Sequence, residues 1–156
     1  MNSIQNVKKF VVTAPAAIYD NASLTCNVID TAGYDAVAID LVLGATDIAM
    51  TTLKVQESDT KSSATALTSG ADVTGLVYGT SNNIAGSASA LPTADDDNKI
   101  FRFEIDCRYR KRYLLLVATC GNGAAGTYAM ATADLHRAAI SDTSASDRGC
   151  GDILRV

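Results

Sequence analysis

Residues 100–120, IFRFEIDCRYRKRYLLLVATC, decide the fold. Phe101, Phe103, Ile105 and Cys107 fall on one side of a period-two pattern, and Arg102, Glu104, Asp106 and Arg108 on the other. Successive side chains of a strand point to opposite faces, so this is a half-buried antiparallel strand. A short basic turn follows, Arg108-Tyr109-Arg110-Lys111-Arg112. Residues 113–118 are then apolar on both faces, the pattern of a central strand covered on both sides. The reading is a hairpin with an edge-like strand, a charged turn and a core strand.

The same alternation runs outward from this stretch. Leu24, Cys26 and Val28 alternate with Thr25 and Asn27. Val37, Ile39, Leu41 and Leu43 share one face of residues 36–43, and Leu53 and Val55 one face of 51–58. Residues 10–13 form a short apolar run that Pro15 ends, and 73–78 read as a further short strand. Ala129, Ala131, Ala133 and Leu135 share a face of 127–135, and Ile153-Leu154-Arg155-Val156 reads as another apolar strand. Turn signals separate these runs, and no 3.6-residue periodicity competes with them. The expectation is an all-β, single-domain antiparallel β-sandwich, jelly-roll-like, with long polar loops. Residues 1–22 read as an N-terminal arm with a first short strand, and 23–156 as the sandwich with a C-terminal strand. The loop 79–98 is long for a compact domain, which suggests a functional segment or one ordered by a partner.

Composition narrows the function classes. The 156 residues have a one-domain length, and a net charge of −4 argues against general nucleic-acid binding. Four cysteines, Cys26, Cys107, Cys120 and Cys150, form no C-x-x-C, and one histidine is present, so a common zinc site is not expected. The cysteines read as free thiols, most of them small buried hydrophobes. Residues 1–9 lack the apolar core of a signal peptide, and no run approaches the ~20 apolar residues of a membrane helix. A soluble protein made in a reducing cytoplasm is expected, with no membrane partner.

Four places invite chemistry. His136, with Asp134 and Ser141 near it in sequence, has no nucleophile motif and reads as a strand-end histidine. Asp95-Asp96-Asp97-Asn98 offers oxygens to calcium, but consecutive carboxylates in an extended segment diverge, so a solvated acidic turn is expected. Gly121-Asn122-Gly123 is glycine-rich like a phosphate loop yet feeds a strand, and reads as a hairpin turn with positive φ angles. The basic turn Arg108, Tyr109, Arg110, Lys111 and Arg112 has three readings: a solvated tip, a protein interface, or a nucleic-acid patch. No catalytic residue, metal or cofactor is expected, and the chain reads as a non-enzyme.

YDAVAIDLVLGATD (34–47), LKVQESD (53–59), DNKIFRFEIDCRYRKRYLLLVATCGNGAAGTY (97–128) and GDILRV (151–156) together resemble small virion proteins of tailed bacteriophages. The likeness is strongest to capsid cement, or decoration, proteins. It implies a sandwich that oligomerises, commonly as trimers, over contacts of the major capsid protein on the capsid surface of the virion. It implies no catalytic residues. The expected function is a structural protein that stabilises the head. A tail or head–tail connector protein is the alternative, and a ligand- or carbohydrate-binding sandwich is the third reading. The expected contacts are Arg108, Tyr109, Arg110, Lys111 and Arg112, with Ile153, Leu154, Arg155 and Val156 adding to a sheet edge.

Overall fold

A computed structural model describes residues 7–137 and 144–152. Among the described residues, nine strands form two antiparallel sheets packed face to face: β1 (Val7–Thr13), β2 (Ile18–Tyr19), β3 (Ile29–Asp30), β4 (Ala36–Leu43), β5 (Thr52–Ser58), β6 (Ala71–Val77), β7 (Ile100–Asp106), β8 (Tyr113–Thr119) and β9 (Thr127–His136). One sheet runs β1-β9-β4-β7, with β2 also on β9, and the other runs β3-β8-β5-β6. Leaving β2 aside, the pairs β1–β9, β3–β8, β4–β7 and β5–β6 nest first with last. That is one long antiparallel hairpin rolled up, which is jelly-roll topology. The all-β sandwich expected from the alternation is the fold observed.

The alternation works because each strand has one face against the other sheet. β4 alternates half-buried and buried residues along its whole length, with Val37, Ile39, Leu41 and Leu43 inward. Ala129, Ala131 and Ala133 of β9 lie inward on one side of them, and Phe103 and Ile105 of β7 on the other. Leu53, Val55, Leu114, Leu116 and Ala118 close the core from the second sheet. The alanines of β9 let the larger side chains of β4 and the facing sheet interdigitate at native density.

Several local expectations are corrected. The stretch 100–120 is not a hairpin: β7 pairs with β4, whereas β8 lies in the other sheet between β3 and β5. The basic turn, containing a 3-10 turn at Cys107–Tyr109, therefore crosses between sheets. β8 is central but covered on one face only. Leu115 and Val117 stay half-buried on its outer face, beside Gln56 and Lys54. Their apolar character serves strand propensity and contact with those long side chains. Only the last residue of the expected strand at 23–29, Ile29, enters a strand, β3, and the rest keeps its inward Leu24, Cys26 and Val28 but forms no continuous ladder. Its N–H groups turn elsewhere, Asn27 to the Val12 carbonyl at 2.7 Å and Val28 to the Ala64 carbonyl at 2.8 Å.

β1 is longer than the apolar run suggested, and its pairing with β9 makes it part of the main sheet. β2 continues the same flank of β9 beyond Pro15. The 79–98 loop is ordered by its own residues. Asn83 Oδ1 accepts from the N–H of Ala85 and of Ser87 at 2.9 and 3.1 Å, and Ser89 Oγ donates to the Ser81 carbonyl at 2.5 Å. The expected strand Ile153-Leu154-Arg155-Val156 lies outside the described residues, as does Ser141.

Candidate functional site

The basic turn is gathered in space and largely neutralised by the chain itself. Arg108 holds Asp106 through Nε at 2.9 Å and Nη2 at 2.5 Å. Arg112 grips Asp30 with two bonds, at 2.9 and 2.7 Å. Arg110 lies 3.6 Å from Glu57, whose other oxygen accepts from the Lys111 N–H at 3.1 Å. The guanidinium of Arg108 holds the Asp106 carboxyl down at about 2, and Arg112 lowers Asp30 in the same way. Lys61 and Arg112 lie over the Tyr113 ring, at 5.4 and 4.9 Å from its centre. Tyr109, 80% exposed, is the large apolar group presented here. A field aimed at an acidic partner is thus mostly cancelled within the molecule.

The other sequence candidates separate. His136 ends β9 and points outward in a row with Ala36 and Asp106. Asp134 is held by Lys9, 2.6 Å away. Asp96 and Asp97 of the aspartate run go separate ways. Asp96 binds Lys99 at 2.7 Å and accepts from the Thr93 N–H, which brings its carboxyl down to about 2. Asp97 instead accepts from the Thr46 N–H at 2.7 Å. No group of three or more metal-ligating side chains occurs among the described residues.

The glycine-rich loop is already filled by carboxylates. Ala125 N–H donates to Asp47 at 2.6 Å, and Gly123 N–H to Asp20 at 2.9 Å. The backbone N–H of Ala125 is the chief influence holding the Asp47 carboxyl below its ordinary value. A Cβ on Gly123 would strike the Asp47 carboxylate, so that glycine serves close approach. The positive φ lies at Gly126, at 75°, and not at Asn122 or Gly123. The expected hairpin turn is instead a crossing from β8 to β9 in the other sheet.

Sequence reasoning missed the outer face of the five-stranded sheet. Its cross-strand rows grade from charged to apolar. At one end lie His136, Ala36 and Asp106, then Asp134, Ala38 and Glu104. Thr132, Asp40 and Arg102 follow, and the last row is Met130, Val42 and Ile100. Ala36 and Ala38 floor an open trough of about 720 Å³ at the charged end. Val11, Ile18, Ile100 and Tyr128 are each about half exposed or more, and with Val42 and Met130 they make an apolar strip that covers the other end and reaches the Thr132 row at Val11. The signal was present as apolar residues at outward positions of alternating strands. It needed strand order to be read as one surface.

No protein-family profile, curated protein or solved structure matches this chain. No described helix is long and apolar enough to cross a membrane.

Proposed function

We propose that this chain is a structural bacteriophage virion protein that binds the outside of the capsid, contacts the major capsid protein and stabilises the head. The observation that carries the reading is the apolar strip of Val11, Ile18, Val42, Ile100, Tyr128 and Met130 on a sheet face. Contiguous exposed apolar surface rimmed by polar groups is the form of a protein-docking site. Jelly rolls serve viral capsids, and also lectins and cupins, so the fold supports the reading by analogy only. The resemblance of residues 34–47, 53–59, 97–128 and 151–156 to phage virion proteins supports it from the sequence. The neutralised basic turn moves the proposed capsid contact from Arg108, Arg110, Lys111 and Arg112 to the strip.

The test mixes purified protein with particles that lack it. Val42→Glu and Tyr128→Glu place charge on an outward face and are expected to leave the fold intact while abolishing decoration. Arg110→Glu is expected to decorate as the parent does. Decoration by both strip variants at the parent level refutes the strip as the contact. Labelled protein found on tails and not on heads moves the function to a tail or head–tail connector part.

A further inference from the structure

One side of the sandwich is open where the two sheets end, the first in β7 and the second in β6. The odd residues of β7 bond to β4. Their ladder continues through the Cys107 N–H to the Asp35 carbonyl at 2.8 Å and the Leu43 N–H to the Lys99 carbonyl at 3.0 Å. Antiparallel geometry turns the main-chain groups of Arg102 and Glu104 the other way, toward the open side. Among the described residues, the one partner there is the Tyr78 hydroxyl, which donates to the Arg102 carbonyl at 3.1 Å.

Beside this edge lies a trough of about 430 Å³, lined by Leu76, Val77, Tyr78, Ile84 and Phe103. It exists because β6 bulges. Gln56 faces Asp72 and Lys54 faces Val77, so the chain between loops out around Gly75, whose φ is 86°. The Tyr78 ring stands edge-on to Phe101 and Phe103, with centres 5.7 and 5.2 Å apart. Ile84 is fully exposed at the rim. An unpaired strand edge beside an apolar trough suits an added strand. Main-chain bonds supply affinity there, and alternate side chains fill the pocket.

Charge selects that strand. Glu104 is 72% exposed and 4.0 Å from Arg102, which already binds Asp40 through two contacts of 2.7 Å. The complementary segment alternates apolar residues with a cation. Ile153-Leu154-Arg155-Val156 has this pattern, with Leu154 and Val156 on one face of a strand and Arg155 on the other. The described chain approaches that segment at the wrong edge to reach β7 itself. Arg148 accepts from the Lys9 N–H at 2.8 Å, on the outer side of β1, at the opposite end of the same sheet. Five strand spacings separate that position from a strand added at the free edge of β7, roughly 24 Å. The five residue steps from Arg148 to Ile153 span at most about 18 Å.

We propose that the free edge of β7 accepts Ile153, Leu154, Arg155 and Val156 of a second copy of this chain as an added strand, with Arg155 against Glu104 and Leu154 in the trough. The described chain leading to the donor segment, at Arg148, and the acceptor edge lie at opposite edges of one sheet, so the contact is head-to-tail and builds rings or filaments. The inference concerns the chain alone, and its test needs no particle, so it stands or falls apart from the virion reading.

Sedimentation velocity over a concentration series tests it, with far-UV circular dichroism confirming folding. The parent is expected to self-associate. Deletion of 153–156 is expected to give monomer, as is Glu104→Pro, which removes an edge N–H that the fold does not use. Glu104→Lys is expected to weaken association at least tenfold, and adding Arg155→Glu to restore it. A parent that stays monomeric at every concentration overturns the proposal. So does a deletion variant that associates as the parent does, or a charge swap that fails to restore what Glu104→Lys lost.

Discussion

Single side chains here are specialised by where the strands leave them. Cys26 and Cys107 are buried, and burial pushes their thiols up to about 12 and about 11. All four cysteines are free, and Cys150 is the one not fully buried. Thiolate is the reactive form. A disulfide reagent at pH 8 is therefore expected to label Cys150 quickly and the other three only after denaturation, as followed by absorbance and mass spectrometry. Rapid labelling of Cys26 in folded protein contradicts its burial. The carboxylates of Asp96 and Asp106, both held at about 2, act in the acid range. Their folded values lie below the ordinary unfolded value of about 3.9, so their contribution is present above that value and lost as pH falls toward about 2. Urea midpoints are expected to fall through that window, less steeply in Asp96→Asn than in the parent. An equal slope in the variant removes Asp96 from the account.

At the scale of elements, the crossings between sheets carry constraints that a hairpin lacks. Gly33 and Gly126 both have positive φ, but a Cβ at Gly33 meets nothing, whereas one at Gly126 lies 2.6 Å from Ile18 Cγ2 and 3.0 Å from the Tyr19 carbonyl. Gly33→Ala is expected to cost about 1–2 kcal/mol from left-handed backbone alone. Gly126→Ala adds a clash with β2 and is expected to cost more, read from equilibrium urea unfolding. Equal costs would show that β2 yields freely. The positive φ at Gly126 was not legible in GNGAAG, because Asn-Gly signals a hairpin only when the flanking strands share a sheet.

Across the whole molecule, the two faces of β4 make opposite predictions. Leu41 is fully buried between the sheets, and Leu41→Ala is expected to destabilise by about 2–5 kcal/mol. Val42, one residue on, faces outward with Met130 and Ile100, and Val42→Ser is expected to stay within about 0.5 kcal/mol. Reversed values in denaturant titrations would mean the sheet is turned over. The jelly roll also joins distant residues, as with Lys9 and Asp134, which are 125 apart in sequence. Such non-local pairing places refolding in the millisecond-to-second range, which stopped-flow fluorescence of the tyrosines can follow.

The sequence by itself determined the strands and their inward faces. Period-two alternation is local, and burial of Val37, Ile39, Leu41 and Leu43, or of Leu53 and Val55, follows from it directly. Only the tertiary structure decided which strands pair, that β7 and β8 part into different sheets, and that three arginines of the basic turn meet Asp106, Glu57 and Asp30. The apolar strip and the open edge of β7 belong to the same class. Each is assembled from residues far apart in the chain, and neither alternation nor turn chemistry specifies which distant strand a given strand will lie beside.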